Sequence, residues 1–124
     1  MRKLLLCLAC SGLMAQDPWT KLDIGLETAY QVLNVVDYRQ TSNFHNFHEV
    51  QGNQLKMIQE SNPFLGKHPY QANINRLFVA QALLHGGVSL ALNSKPRTIW
   101  QTTSLMWTYH LVDHNASIGA RIVW

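Results

Sequence analysis

Between Arg76 and Lys95 run eighteen consecutive residues without a formal charge, Leu77 to Ser94. Coiled as a helix, such a stretch is roughly 27 Å long, close to the ~30 Å of a bilayer's hydrocarbon core. A second uncharged run, Thr98 to Val112, lies between Arg97 and Asp113 and continues mostly apolar to Trp124. An earlier apolar segment, Trp19 to Tyr38, is interrupted by Lys21, Asp23, Glu27 and Asp37. Only 14% of the 124 residues are charged and 47% are hydrophobic, yet mean hydropathy is -0.10, so the apolar residues are concentrated in these stretches. A soluble domain ordinarily has about a quarter of its residues charged. The expected fold is all-α: one domain, 16–124, in which helices over 19–40, 69–93 and 97–122 form a small membrane-embedded bundle, with a connector over 41–68.

The first fifteen residues, "MRKLLLCLACSGLMA", place Arg2 and Lys3 before an apolar run and then small residues, the order of a secretory signal. Cleavage after Ala15 is one outcome; a lipid-anchored Cys10 and an uncleaved anchor are the others. Cleavage would remove both cysteines, and with them any internal disulfide or thiol chemistry. It would also remove Arg2 and Lys3, leaving eight Lys plus Arg against seven acidic residues. The basic pI of about 9.1 thus owes much to the leader. With no basic run elsewhere, the electrostatic footprint of a nucleic-acid-binding protein is missing.

Each segment carries a polar line. At 100° per residue, Asp23, Glu27, Gln31, Asn34, Asp37 and Thr41 share about a third of the first helix's circumference, with Lys21 and Arg39 opposite. This is either a solvated face or an inward seam of a bundle whose other faces meet lipid. The absence of a cation from the line speaks against solvation, since solvated faces interleave Lys with Glu. The second helix repeats Gln81, His85 and Ser89 at four-residue steps beside Ala80, Ala82, Gly86, Gly87 and Ala91, small residues that let helices approach closely. The third aligns Gln101, Ser104, Thr108 and Asn115 on one side and His110 with His114 on another. Trp19, Trp100 and Trp124 stand at segment ends, where indoles favour lipid headgroups. With the amino terminus outside, Arg39, Lys56, Lys67 and Arg76 would face the cytoplasm, and Lys95 and Arg97 the exterior.

The connector holds "ESNPFLGKHP", residues 60–69. Asn62 suits a cap, Pro63 a first turn, Gly66 a turn end and Pro69 the first position of the next helix. Glu60 and His68 flank this corner. The stretches "LETAYQVLNVVDYRQT", "ESNPFLGKHP", "NINRLF" and "DHNASIGARI" resemble, in that order, an uncharacterised family of small phage- and prophage-encoded envelope proteins. The resemblance spans most of the chain after the leader. Its most specific part is Glu60, Asn62, Pro63, Leu65, Gly66, His68 and Pro69, supported by Asp37, Gln40, Thr41, His114 and Asn115. It implies an envelope protein of about three helices and no assigned activity. The chain departs from that pattern at Tyr70, where a serine is expected, and at Thr108, where an acidic residue is expected.

Two histidine sets invite a metal. His110 and His114 lie one helical turn apart with Asp113 beside them, and His45 and His48 precede Glu49. Zinc takes three or four such ligands at about 2.0–2.2 Å, so neither pair suffices by itself; His110, Asp113 and His114 are the candidate set for zinc or iron. No phosphate-binding glycine loop, nucleophile elbow or HExxH sequence is present. Asp37, Glu60 and His85 could instead converge for proton transfer, or Asp37, Thr41, Glu60 and Asn62 could hold helices in register. The candidate functional residues are therefore Asp37, Thr41, Glu60, Asn62, His68, His85, His114 and Asn115. The expectation is a non-enzymatic inner-membrane protein that meets lipid and either itself or an envelope partner. Its alternatives are a metal-dependent or proton-coupled activity, and a periplasmic or lipid-anchored location.

Overall fold

In a computed structural model, residues 17–43, 48–51, 54–57, 64–66, 69–120 and 122 are described. Three helices form: α1 Lys21–Ser42, α2 Gln71–Ala91 and α3 Ser94–Ser117. Two short strands, β1 His48–Gln51 and β2 Gln54–Met57, lie between α1 and α2. The chain is thus an all-α three-helix bundle with a small hairpin in its long connector. No helix among the described residues is long and apolar enough to cross a membrane.

The helix ends follow from local chemistry. Thr20 and Asp23 form a reciprocal capping box, so α1 begins at Lys21, two residues after the expected start. α2 begins at Gln71 because Pro69 precedes the cap residue Tyr70 instead of occupying the first helical position. α3 begins at Ser94, before the expected 97, and takes Lys95 and Pro96 into its first turn; proline is tolerated there because first-turn N–H groups have no intrahelical partner. α3 stops at Ser117, short of 122, where Gly119 has φ +92°. The Gly119 N–H donates to the Ala116 carbonyl and the Ala120 N–H to that of Asn115, the paired bonds of a Schellman termination. Gly66 also has a positive φ, +75°, in keeping with a turn end in the proline-glycine corner.

The connector is not wholly irregular. β1 and β2 pair antiparallel from His48↔Met57 to Gln51↔Gln54, which leaves Gly52 and Asn53 between them. A Gly-Asn pair between short runs is a two-residue hairpin signal.

Side-chain pairs set the direction of each helix. Asn34 of α1 reaches the Phe78 carbonyl of α2, while Ser89, later in α2, reaches Glu27, earlier in α1. α1 and α2 therefore run antiparallel. Gln101 reaches the Asp23 carbonyl and Asn115 reaches Asp37, so α1 and α3 run parallel. α1 packs most extensively on α3, less on α2, and α2 and α3 touch least.

Inward positions alternate by four and three: Asp23, Glu27, Tyr30, Asn34, Asp37 and Thr41 on α1, and Arg97, Gln101, Ser104, Thr108, Leu111 and Asn115 on α3. This is the spacing of a packed helical seam, but apolar residues do not fill it. Among the described residues the buried apolar side chains are Tyr30, Ile74, Phe78 and Ala120, against eleven buried polar or charged ones. Large apolar side chains point outward from every helix, including Val32, Val79, Leu83, Leu90, Ile99 and Met106. Of the small residues on α2, Ala82 and Gly86 turn toward α1, whereas Ala80, Gly87 and Ala91 are exposed.

Tyr70 makes no side-chain capping bond at the start of α2. A serine hydroxyl could accept an N–H of the first turn, so Tyr70→Ser is expected to stabilise the fold by about 1 kcal/mol in equilibrium unfolding. A destabilised variant would show that the exposed tyrosine ring has a role that capping does not replace.

Candidate functional site

Two polar centres stand in succession along the interior. The first gathers three helix ends on Arg97, which is fully buried. Its Nε donates to the Ser89 and Leu92 carbonyls and its Nη2 to Leu92, so the guanidinium closes the end of α2, where helical carbonyls lack partners and a cation is favoured. Nη1 lies 3.3 Å from Asp23 Oδ2, and Nη2 also donates to the Asp17 carbonyl at 2.9 Å. The Trp19 ring covers the guanidinium, 5.1 Å from its centroid. Asp23 Oδ2 in turn accepts the Thr20 N–H at 2.8 Å and hydroxyl at 2.9 Å. Asp17 accepts the Ser94 N–H at the start of α3, a bond that holds its carboxyl below the usual range. Arg97, a flanking cation beside Lys95 in the sequence, is thus buried at the end of the bundle where the three helix ends meet.

One turn further in, the Glu27 carboxylate accepts from four side chains. Gln31 Nε2 donates at 2.8 Å, Ser89 Oγ at 2.9 Å and Gln101 Nε2 at 3.3 Å, and His85 Nδ1 lies 3.0 Å from Oε2. A carboxylate can accept about four such bonds, so Glu27 is satisfied within the protein. His85 is held from both faces: Tyr30 stacks on it at 3.5 Å between centroids and Trp100 at 5.2 Å. Trp100 Nε1 also donates to the His85 carbonyl. Trp19 and Trp100, expected as lipid-interface anchors, thus cover buried polar groups.

Beyond His85 a cavity of about 390 Å³ opens between the three helices, with Asp37, His85 and Thr108 among its lining residues. Asp37 accepts from Asn115 Nδ2 at 2.8 Å, and Thr41 is buried one turn on. The sequence-predicted Asp37, Thr41, His85 and Asn115 therefore all lie in the interior, and Asp37 shares a cavity with His85. Glu60, Asn62 and His68 lie outside the described residues. His110, Asp113 and His114 are exposed, and no group of three or more His, Cys, Asp or Glu able to hold a metal gathers among the described residues. Thr108 is buried on this cavity.

In the sequence Glu27, Ser89 and Gln101 stand on polar lines among similar residues, and Arg97 stands out only as a flanking cation. The signal for Arg97 was its position: a cation near a helix start opposes the helix dipole and calls for a compensating partner. No family model, curated protein or solved structure matches this chain.

Removing the guanidinium would strand Asp23 and several buried carbonyls. Arg97→Met is expected to cost about 3–5 kcal/mol, whereas Asp23→Asn, which keeps an acceptor for the Thr20 cap, should cost clearly less. Equilibrium unfolding of the two variants checks the order. Equal and small losses would show that the buried pair does not hold the helix ends.

Proposed function

We propose that this chain is a small structural or interaction protein of the cell envelope, embedded in the membrane through the apolar outside of the assembled bundle. The observation that carries this reading is the inverted burial. A chain folding in water is driven by removing apolar surface from water. Here Val32, Val79, Leu83, Leu90, Ile99 and Met106 stay exposed while Asp23, His85, Arg97 and Gln101 are withdrawn. Lipid reverses the preference: an outward leucine costs nothing there, whereas an outward glutamate or arginine costs several kcal/mol.

Helix length agrees with this. α1, α2 and α3 have 22, 21 and 24 residues, or about 33, 32 and 36 Å, against a hydrocarbon core of ~30 Å. Taken singly, each helix is too polar to cross. Averaging along one helix, however, counts Glu27, His85 and Gln101 as if they faced lipid, when in the bundle they face one another. The unit that meets lipid in this reading is therefore the bundle. The signal-like leader and the resemblance to phage- and prophage-encoded envelope proteins point to the same address, the bacterial inner membrane. A structural role is supported by carboxylates already occupied in holding helices together; self-association or an envelope partner would be its output.

Expression followed by carbonate washing tests the location: the protein should remain with the membranes. Leu83→Lys, on the outer face midway along α2, should weaken membrane retention by about 2.5–3.5 kcal/mol of insertion free energy. Release of the unaltered protein by carbonate, or a Leu83→Lys variant retained as well as the parent, would overturn the reading.

A further inference from the structure

We propose that the cavity between the three helices binds a small planar molecule that donates an N–H hydrogen bond. Its volume, about 390 Å³, lies within the roughly 300–1,000 Å³ of small-molecule sites. Tyr30, Trp100 and Trp107 furnish aromatic walls, which favour a flat, polarizable guest. Two buried atoms of its lining residues have no partner in the protein: Gln81 Oε1 and His85 Nε2.

Gln81 Oε1 is an acceptor, and His85 Nε2 is one in the tautomer that donates Nδ1–H to Glu27. The amide oxygen of Gln81 accepts only. On His85, the Nδ1–H tautomer donates to the Glu27 carboxylate, and in that tautomer Nε2 carries the free lone pair. The ring cannot turn away to find another donor, because Tyr30 and Trp100 hold it from both faces and Glu27 holds its opposite edge. A desolvated acceptor fixed in position against an aromatic wall is complementary to a ring N–H. An aliphatic chain would leave both lone pairs unmet. These groups lie within the bundle, so the inference does not rest on the lipid reading.

Indole and indene separate hydrogen bonding from apolar fit, since they share a two-ring frame and only indole carries N–H. The full chain, labelled with ¹⁵N-histidine, would be titrated with each in the medium that keeps it folded, with protein-free detergent or buffer as the partition control. Indole is expected to bind saturably and to shift the His85 Nε2 resonance; indene is expected to bind at least about ten-fold more weakly, the loss of one well-made hydrogen bond. Gln81→Leu, which keeps the aromatic walls, should bring indole toward the indene value, as should His85→Phe. Equal binding of the two compounds would show an apolar slot suited to an acyl chain and overturn the proposal. So would an unmoved His85 resonance, or indole uptake no greater than in the protein-free control.

Discussion

The ion pair between Arg97 and Asp23 is where the fold is drawn together. One guanidinium satisfies the carbonyls at the end of α2, the capping carboxylate at the start of α1 and the Asp17 carbonyl before it, while its own backbone lies in the first turn of α3. A buried charge pair is a poor source of net stability, because desolvating both ions offsets most of their attraction. Its strength is geometric. With the guanidinium's donors directed at fixed acceptors on three chain segments, other arrangements of the helix ends leave a charge uncovered.

Once that corner is set, the remaining interior follows as a ladder. Glu27 collects Gln31, His85, Ser89 and Gln101; Asn34 reaches the Phe78 carbonyl; Asp37 takes Asn115; Gln40 reaches the Val112 carbonyl. Each rung joins α1 to α2 or α3, which makes α1 the common neighbour, while α2 and α3 meet least. The cavity beside His85 remains between the three helices. Hydrogen bonds and ion pairs thus take the place of an apolar core, and they hold best where water does not compete for them. The proposed lipid surroundings supply that condition.

Much of this was legible in the sequence. The 100° spacing of Asp23, Glu27, Gln31, Asn34, Asp37 and Thr41 put them on one face, and the lack of a cation among them favoured an inward seam. Periodicity does not say which way a face points, however. His110 and His114 are four residues apart on α3, but both are exposed, and no third ligand joins them among the described residues. Arg97 was hidden for a different reason. It follows Lys95 at the edge of an uncharged run, where a cation reads as a flank, and its partner Asp23 lies 74 residues away. The hairpin was obscured by the polar composition around it, although Gly52-Asn53 carried a turn signal. Tyr70 shows the reverse case: Pro69 suits a helix start, and the structure begins the helix one residue after Tyr70 without a side-chain cap.

Accessibility of spin labels in lipid bilayers measures the inverted arrangement most directly. With Cys7 and Cys10 replaced by serine, single labels at Val32, Leu83, Ile99 and Met106 would report which solvent each outward position meets. The account predicts relaxation by oxygen, which concentrates in hydrocarbon, and protection from a water-soluble nickel chelate at all four. Strong relaxation by the chelate at these positions, with oxygen no more effective than in water, would contradict it.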